Sequence, residues 1–263
     1  MIALKLAAVP TVVWLASWAG RRWGHKASGW ISGMPLIAAP IVLFLAMDQP
    51  REFALPTAWI TMTMAPAVGV HCLLFAHLSR LPLRGVLAWP LCLTAGWLGC
   101  VLTELALTEV VVPNFIGAVV AVMELLLLGV LMPRSAPGSE APRIPASEII
   151  VRMAAALVLA TVITLGANSF GPEVSGILLG FPITASVLPV FTLVLYGPDA
   201  TIRLLAGFQN GLIGFVVYFY AFASVMEAGA PVLVAFAAAV AACLATSGAL
   251  ALWHQVRLKQ EAA

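Results

Sequence analysis

The chain has 263 residues, 62% hydrophobic and 9% charged, with a formal net charge of +2 and a mean hydropathy of +1.06. A soluble domain carries roughly 25% charged residues, so this chain lacks the polar side chains to cover a water-facing surface. The small charge, with no basic patch among aromatics, argues against a nucleic-acid partner, and repeated apolar stretches of about 20 residues point to a polytopic, all-α membrane protein whose partner is the lipid bilayer.

Nine transmembrane helices are expected, at about 2–20, 29–47, 56–78, 85–104, 111–132, 149–167, 174–195, 202–225 and 231–253. Each is long enough to cross a hydrocarbon core of about 30 Å at 1.5 Å per residue. The first span has the lone Lys5 and the small-residue end of a signal peptide, but Arg21 and Arg22 follow at once and disfavour cleavage there. Span two carries Ser32, Gly33 and Pro35 in the block SGWISGMPLIA. Span three holds His71 and His77, which are about 240° apart around a helix and form no i, i+4 metal pair. Glu124 is the one acid well inside a span, and an intramembrane carboxylate is a proton-relay candidate. His71, deep in its own span, is the second proton-coupling candidate, because histidine is the side chain whose ordinary pKa lies near neutrality; its other reading is structural.

Residues 133–147, rich in Pro, Ser and charge, form the one extended linker. Span seven contains SGILLGFPITASVLP, with Gly180, Pro182, Thr184 and Ser186. Span eight brings Gln209 and Asn210 to mid-membrane depth, where two amides need partners and either line a polar path or tie helices together. Span nine is Ala-rich and reads as a packing helix. The four cysteines, Cys72, Cys92, Cys100 and Cys243, lie in apolar runs and read as small buried hydrophobes. There is no HExxH, GxSxG, P-loop or helix-opening GxGxxG, so no enzyme activity, cofactor or metal is expected.

The chain repeats itself at an offset of 147 residues. IALKLAA recurs as IIVRMAA, and SGWISGMPLIA as SGILLGFPITA. Apolar matches are common in such a chain; the S-G-x-x-x-G-x-P block is not, because it fixes four unusual residues in one register. Each unit (1–110 and 149–263) holds four spans, and the intervening segment 111–148 holds the fifth span and the linker. An odd number of crossings between the units turns the second over. The expected architecture is therefore a 4+1+4 inverted repeat with a pseudo-two-fold axis in the membrane plane. Basic residues agree: on nine spans Lys5 and Arg51 fall on one side and the other 11 of the 13 on the opposite side. The positive-inside rule then puts the N-terminus outside and the C-terminus in the cytoplasm.

One unit, carried by SGMPLIAAPIVLFLAMDQP with span three, or by SGILLGFPITASVLPVFTLVLYG with TIRLLAGFQNGLIGFVVYF, resembles GlpM, a family of bacterial inner-membrane proteins of about four spans. The likeness covers most of each half and leaves out span five and the linker. It implies two fused four-helix units in the inner membrane and no particular activity.

Two interrupted helices at matched depths in inverted halves are the best sequence pointer to a transporter site. The expectation is a secondary transporter of a small molecule or ion, bound near Gly33, Pro35, Gly180, Pro182, Thr184, Ser186, Gln209 and Asn210. The other readings are kinking and close packing at the Gly/Pro blocks, and a non-transporting subunit with a membrane partner protein or a second copy as a homodimer. Cysteines introduced at Ser139 and Gly229 should be labelled by an impermeant maleimide from opposite sides of the membrane; labelling from one side contradicts the inversion.

Overall fold

A computed structural model describes residues 14, 24–82, 88–108, 112–136 and 146–261. Most of span one and most of the linker lie outside the described residues. The rest is helical: α1 (Gly24–Gly33), α2 (Ala38–Asp48), α3 (Arg51–Leu78), α4 (Ala88–Thr108), α5 (Asn114–Leu131), α6 (Ala146–Gly180), α7 (Ile183–Glu227) and α8 (Val232–Glu261). Among the described residues, six stretches are long and apolar enough to cross a membrane: Gly24–Asp48, Arg51–Leu78, Ala88–Leu107, Asn114–Leu131, Ser169–Glu227 and Val232–Trp253. The protein is membrane-embedded, and its secondary structure among the described residues is all helical. Ser169–Glu227, at 59 residues, would be about 90 Å long as one straight helix, three times the hydrocarbon core. It is interrupted three times, at Gly171, at Phe181–Pro182 and at Gly197.

Glycine with positive φ supplies the sharpest turns. Gly171 (φ 75°, followed by Pro172) divides α6, and Gly197 (φ 79°, followed by Pro198) divides α7. Gly24, which is 147 residues before Gly171, has φ 80°. A side chain at such positions would clash with its own carbonyl, so glycine holds both of these positions, 147 residues apart.

The prolines make the two mid-helix breaks. Pro35 and Pro182 have no N–H to offer the carbonyls of Ile31 and Leu178. Those carbonyls instead accept from Met34 and Phe181, each at 3.3 Å, and the next N–H groups, of Leu36 and Ile183, turn to Met34 and Phe181, each at 2.7 Å. The two breaks are thus the same turn, made by residues one offset apart.

α7 is the central element. Its 198–227 segment buries Leu204, Leu205, Phe208, Tyr218, Phe219 and Phe222 against its neighbours. α1 packs on it through two small-residue motifs: Gly29 and Gly33 face the backbone of Leu204, Phe208 and Gly211, while Gly207 and Gly211 face the backbone of Lys26, Trp30 and Gly33. Small residues let backbones meet this closely. The 172–180 segment crosses α3 at the equivalent place: Gly176 faces Thr57 and Ile60, and Gly180 faces Thr61 and Met64. Here hydroxyls bridge the helices, Thr57 Oγ1 donating to Pro172 O (3.2 Å) and Thr61 Oγ1 to Gly176 O (3.1 Å). Within each pair residue numbers rise together, so both pairs run parallel.

α4 and α5 show broad apolar faces outward, including Leu98, Leu102, Leu105, Met123 and Val130, as a lipid-facing surface requires. The glycine crossing makes a sharp expectation. Gly207→Ala should destabilise the protein by about 2 kcal/mol or more, because its Cβ would meet Lys26 backbone. Gly248→Ala, with nothing within 4 Å of the added carbon, should be neutral or stabilising in the same thermal-unfolding assay.

Candidate functional site

The two breaks line one cavity of about 60 Å³. Its wall comes in pairs 147 residues apart: Gly33 with Gly180, Met34 with Phe181, Pro35 with Pro182, Ala38 with Ala185, Ala65 with Leu212 and Val68 with Phe215. α3 and the second half of α7 close its sides. No charged side chain is in the lining. A water needs roughly 10–15 Å³ of such space, so the cavity holds a few water-sized groups.

Of the residues singled out in the sequence, Gly33, Pro35, Gly180, Pro182 and Thr184 line this space, together with Ser32. Thr184 differs from most helix hydroxyls nearby. Thr57, Thr61, Thr192, Thr201 and Ser186 each bond back to the carbonyl four residues earlier. For Thr184 that carbonyl belongs to Gly180, across the break, and the Thr184 hydroxyl has no hydrogen-bond partner among the described residues.

Ser186 stands one turn below Pro182, outside the lining. Its hydroxyl donates to Pro182 O (2.6 Å) and accepts from Trp97 Nε1 (2.8 Å), and the Trp97 ring lies 5.9 Å from that of Phe181. It braces the break against α4. His71 does the same from α3. The ring is fully buried, with Nε2 3.1 Å from Ala185 O and its Nδ1 edge against Gly96. The carbonyl can only accept, so the Nε2–H tautomer makes this bond. His71 therefore ties α3 and α4 to the first turn after the second break, one residue from the cavity wall.

Gln209 and Asn210 do not line the cavity. Gln209 is 2% exposed and turns to α3, its Nε2 donating to Gly69 O at 3.0 Å while its Oε1 has no hydrogen-bond partner. Asn210, about 100° further around the helix, is half-buried on another face. Glu124 is half-buried on α5, outside the lining, and makes no hydrogen bond to His71, Gln209 or Asn210. Its neighbour Leu125, with Leu128, packs on Gly69.

One buried acid was missed in the sequence. Glu104 is 9% exposed on α4, with Oε2 unpartnered, although its place near a span end reads as solvated. The signal was present: Cys92, Gly96, Cys100 and Glu104 recur every four residues, and all four are buried on one stripe. The four cysteines are free and buried, and the described residues hold no cluster of three or more His, Cys, Asp and Glu. A second, wholly apolar groove of about 260 Å³ runs between α5 and α7, past Phe115, Met123 and Tyr220.

No protein-family model, curated protein or solved structure matches the chain. Function is therefore read from the geometry alone. Gln209→Met, which installs the residue found at the equivalent position 62, should cost about 1 kcal/mol by removing the bond that ties α7 to the Gly69 carbonyl of α3. The unfolding temperature should fall by several degrees, since 1 kcal/mol is worth about 2–4 °C in a protein of this size.

Proposed function

We propose that the protein is a secondary transporter of a small solute in the bacterial inner membrane, built as an inverted repeat of two four-helix units joined by α5. One observation carries the reading: the two proline breaks, equivalent in sequence and hydrogen bonding, line the same interior cavity. Broken helices that meet at an interior site, with their freed backbone groups turned toward it, are the construction used to bind solutes between inverted repeats. A solid centre would have favoured a purely structural role.

The packing directions support the topology. With α5 counted as a crossing, spans two and eight run the same way through the membrane, as do spans three and seven. The parallel registers of α1 on 198–227 and of 172–180 on α3 fit that count. Without α5 as a crossing, both pairs would be antiparallel. Three contacts between helix ends agree: Arg51 donates to Ala230 O, His77 Nε2 lies 3.1 Å from Leu131 O, and Arg203 donates to Ala136 O. Each joins ends that nine spans put on one side. The charge asymmetry sets that orientation, with the N-terminus outside, and the GlpM-like units fit a fused pair.

Alternating access follows from rocking one unit against the other around the cavity. His71 is placed to couple proton binding to it through the Ala185 contact; Glu124, further away on α5, would act through helix packing. The exposed apolar faces of α4 and α5 favour a second reading, a non-transporting subunit that docks another membrane protein.

Flux into proteoliposomes, measured over a panel of small solutes with and without a pH gradient, separates the two. Transport predicts gradient-sensitive uptake of at least one solute, reduced tenfold or more by Gly180→Val, whose side chain would strike Met64 and push the second break off α3. Glu124→Gln or His71→Gln should remove the gradient dependence, whichever carries the proton. A protein that moves none of the panel, yet retains a membrane partner through α5, supports the subunit reading.

A further inference from the structure

We propose that the cavity between the two breaks is a binding site for one partly dehydrated monovalent cation of about sodium size, held by neutral oxygens. The ligands are the carbonyls of Gly33, Leu179 and Gly180 and the hydroxyl of Thr184. As a bound ion this stands on the geometry; as the transported or coupling ion it rests on the transport reading above.

The prolines create the oxygens. A helix pairs each carbonyl with the N–H four residues later, and Pro35 and Pro182 take one donor out of each ladder. The turns that form instead engage the carbonyls of Ile31, Met34 and Pro35 in the first break and of Leu178 and Phe181 in the second. Those of Gly33, Leu179 and Gly180, three residues of the lining, are not among them. The N–H of Ile183, which would have served Leu179, goes to Phe181 O. Thr184 adds an unpartnered hydroxyl on the same wall. In a membrane interior such oxygens need a partner, and a hard cation is one that several oxygens satisfy together.

The lining also sets the charge and size of the ion. It contains no carboxylate. Divalent calcium and magnesium are taken up by sites that supply negative ligands; neutral carbonyl and hydroxyl oxygens suit a monovalent ion, as in filters built from backbone carbonyls. About 60 Å³ accommodates a few water-sized groups, far less than a cation with its complete hydration shell, so the protein oxygens replace most of that shell. No side chain in the lining neutralises the ion, so its movement across the membrane carries net charge.

The test uses the full chain purified in detergent. Thermal unfolding is followed in sodium chloride, sodium gluconate, potassium chloride and choline chloride at equal ionic strength. The site predicts stabilisation by about 3 °C or more in both sodium salts relative to choline, through mass action on the folded state. Stabilisation that follows chloride whatever the cation, or none in any salt, overturns it. Thr184→Val, close in shape but without the hydroxyl, should lose most of the sodium increment while unfolding at the wild-type temperature in choline; an undiminished increment overturns the ligand assignment. Should that variant not fold, equilibrium binding of radiolabelled sodium to the wild-type protein decides, with about one saturable site expected and none contradicting the proposal. Proteoliposome flux separates the two claims. Saturable sodium binding without sodium-dependent, potential-sensitive flux upholds the site and removes the transport reading. Solute flux with no sodium binding removes the site and leaves transport standing.

Discussion

A backbone carbonyl or N–H inside a bilayer has no water to turn to, and this constraint organises the molecule. Two prolines interrupt helices at interior positions, and each interruption strands polar groups that lipid cannot satisfy. They must be enclosed by protein. Both turn to the same place: the breaks at Pro35 and Pro182 share a cavity walled by α3 and α7. The rest of the packing serves that enclosure. Gly29, Gly33, Gly207 and Gly211 let α1 approach α7 backbone to backbone, Thr57 and Thr61 hold the 172–180 segment on α3, and His71 and Ser186 with Trp97 pin the turn after the second break.

The two breaks share one turn geometry, and the helix crossings beside them differ in chemistry. The crossing of α1 on α7 is made by glycine against glycine, with the His25 ring edge-on to Tyr196 at 4.9 Å. Its counterpart, 172–180 on α3, is held by hydroxyl-to-carbonyl bonds that can be exchanged. Position 71 carries a histidine bonded to Ala185 O, whereas its equivalent, Tyr218, keeps a buried hydroxyl with no hydrogen-bond partner. The second break is thus braced by side chains from α3 and α4, and the helix that leads into the first break packs glycine to glycine on α7. In an alternating-access cycle the two units would have unequal work, and the side-chain bonds mark the half whose contacts change at least cost.

Much of this was legible in the sequence, for stated reasons. The S-G-x-x-x-G-x-P block is visible because glycine and proline in an apolar helix have few innocent explanations, and its recurrence gave both breaks and their register. Which helices would meet was not legible: the equivalence of the units says that contacts come in pairs and leaves open that α1 pairs with α7 across units. Gln209 and Asn210 look like a joint site in a linear reading, but neighbours on a helix point about 100° apart, and only tertiary packing shows Gln209 turned to Gly69. Glu124 stood out as the lone mid-span acid, yet α5 lies at the periphery and the cavity is lined by other elements. Glu104 was hidden by its nearness to a helix end, where depth in the membrane says nothing about burial against α3.

The central claim is that the space between the breaks opens in turn to the two sides of the membrane. It is tested most directly by modification of a single cysteine in the lining, Thr184→Cys, with an impermeant thiol reagent applied to intact cells and to inverted vesicles. The four native cysteines are buried and form a silent background. The account predicts modification from both sides, with transported solute or bound cation shifting the balance between them. Modification from one side only, or from neither, contradicts it.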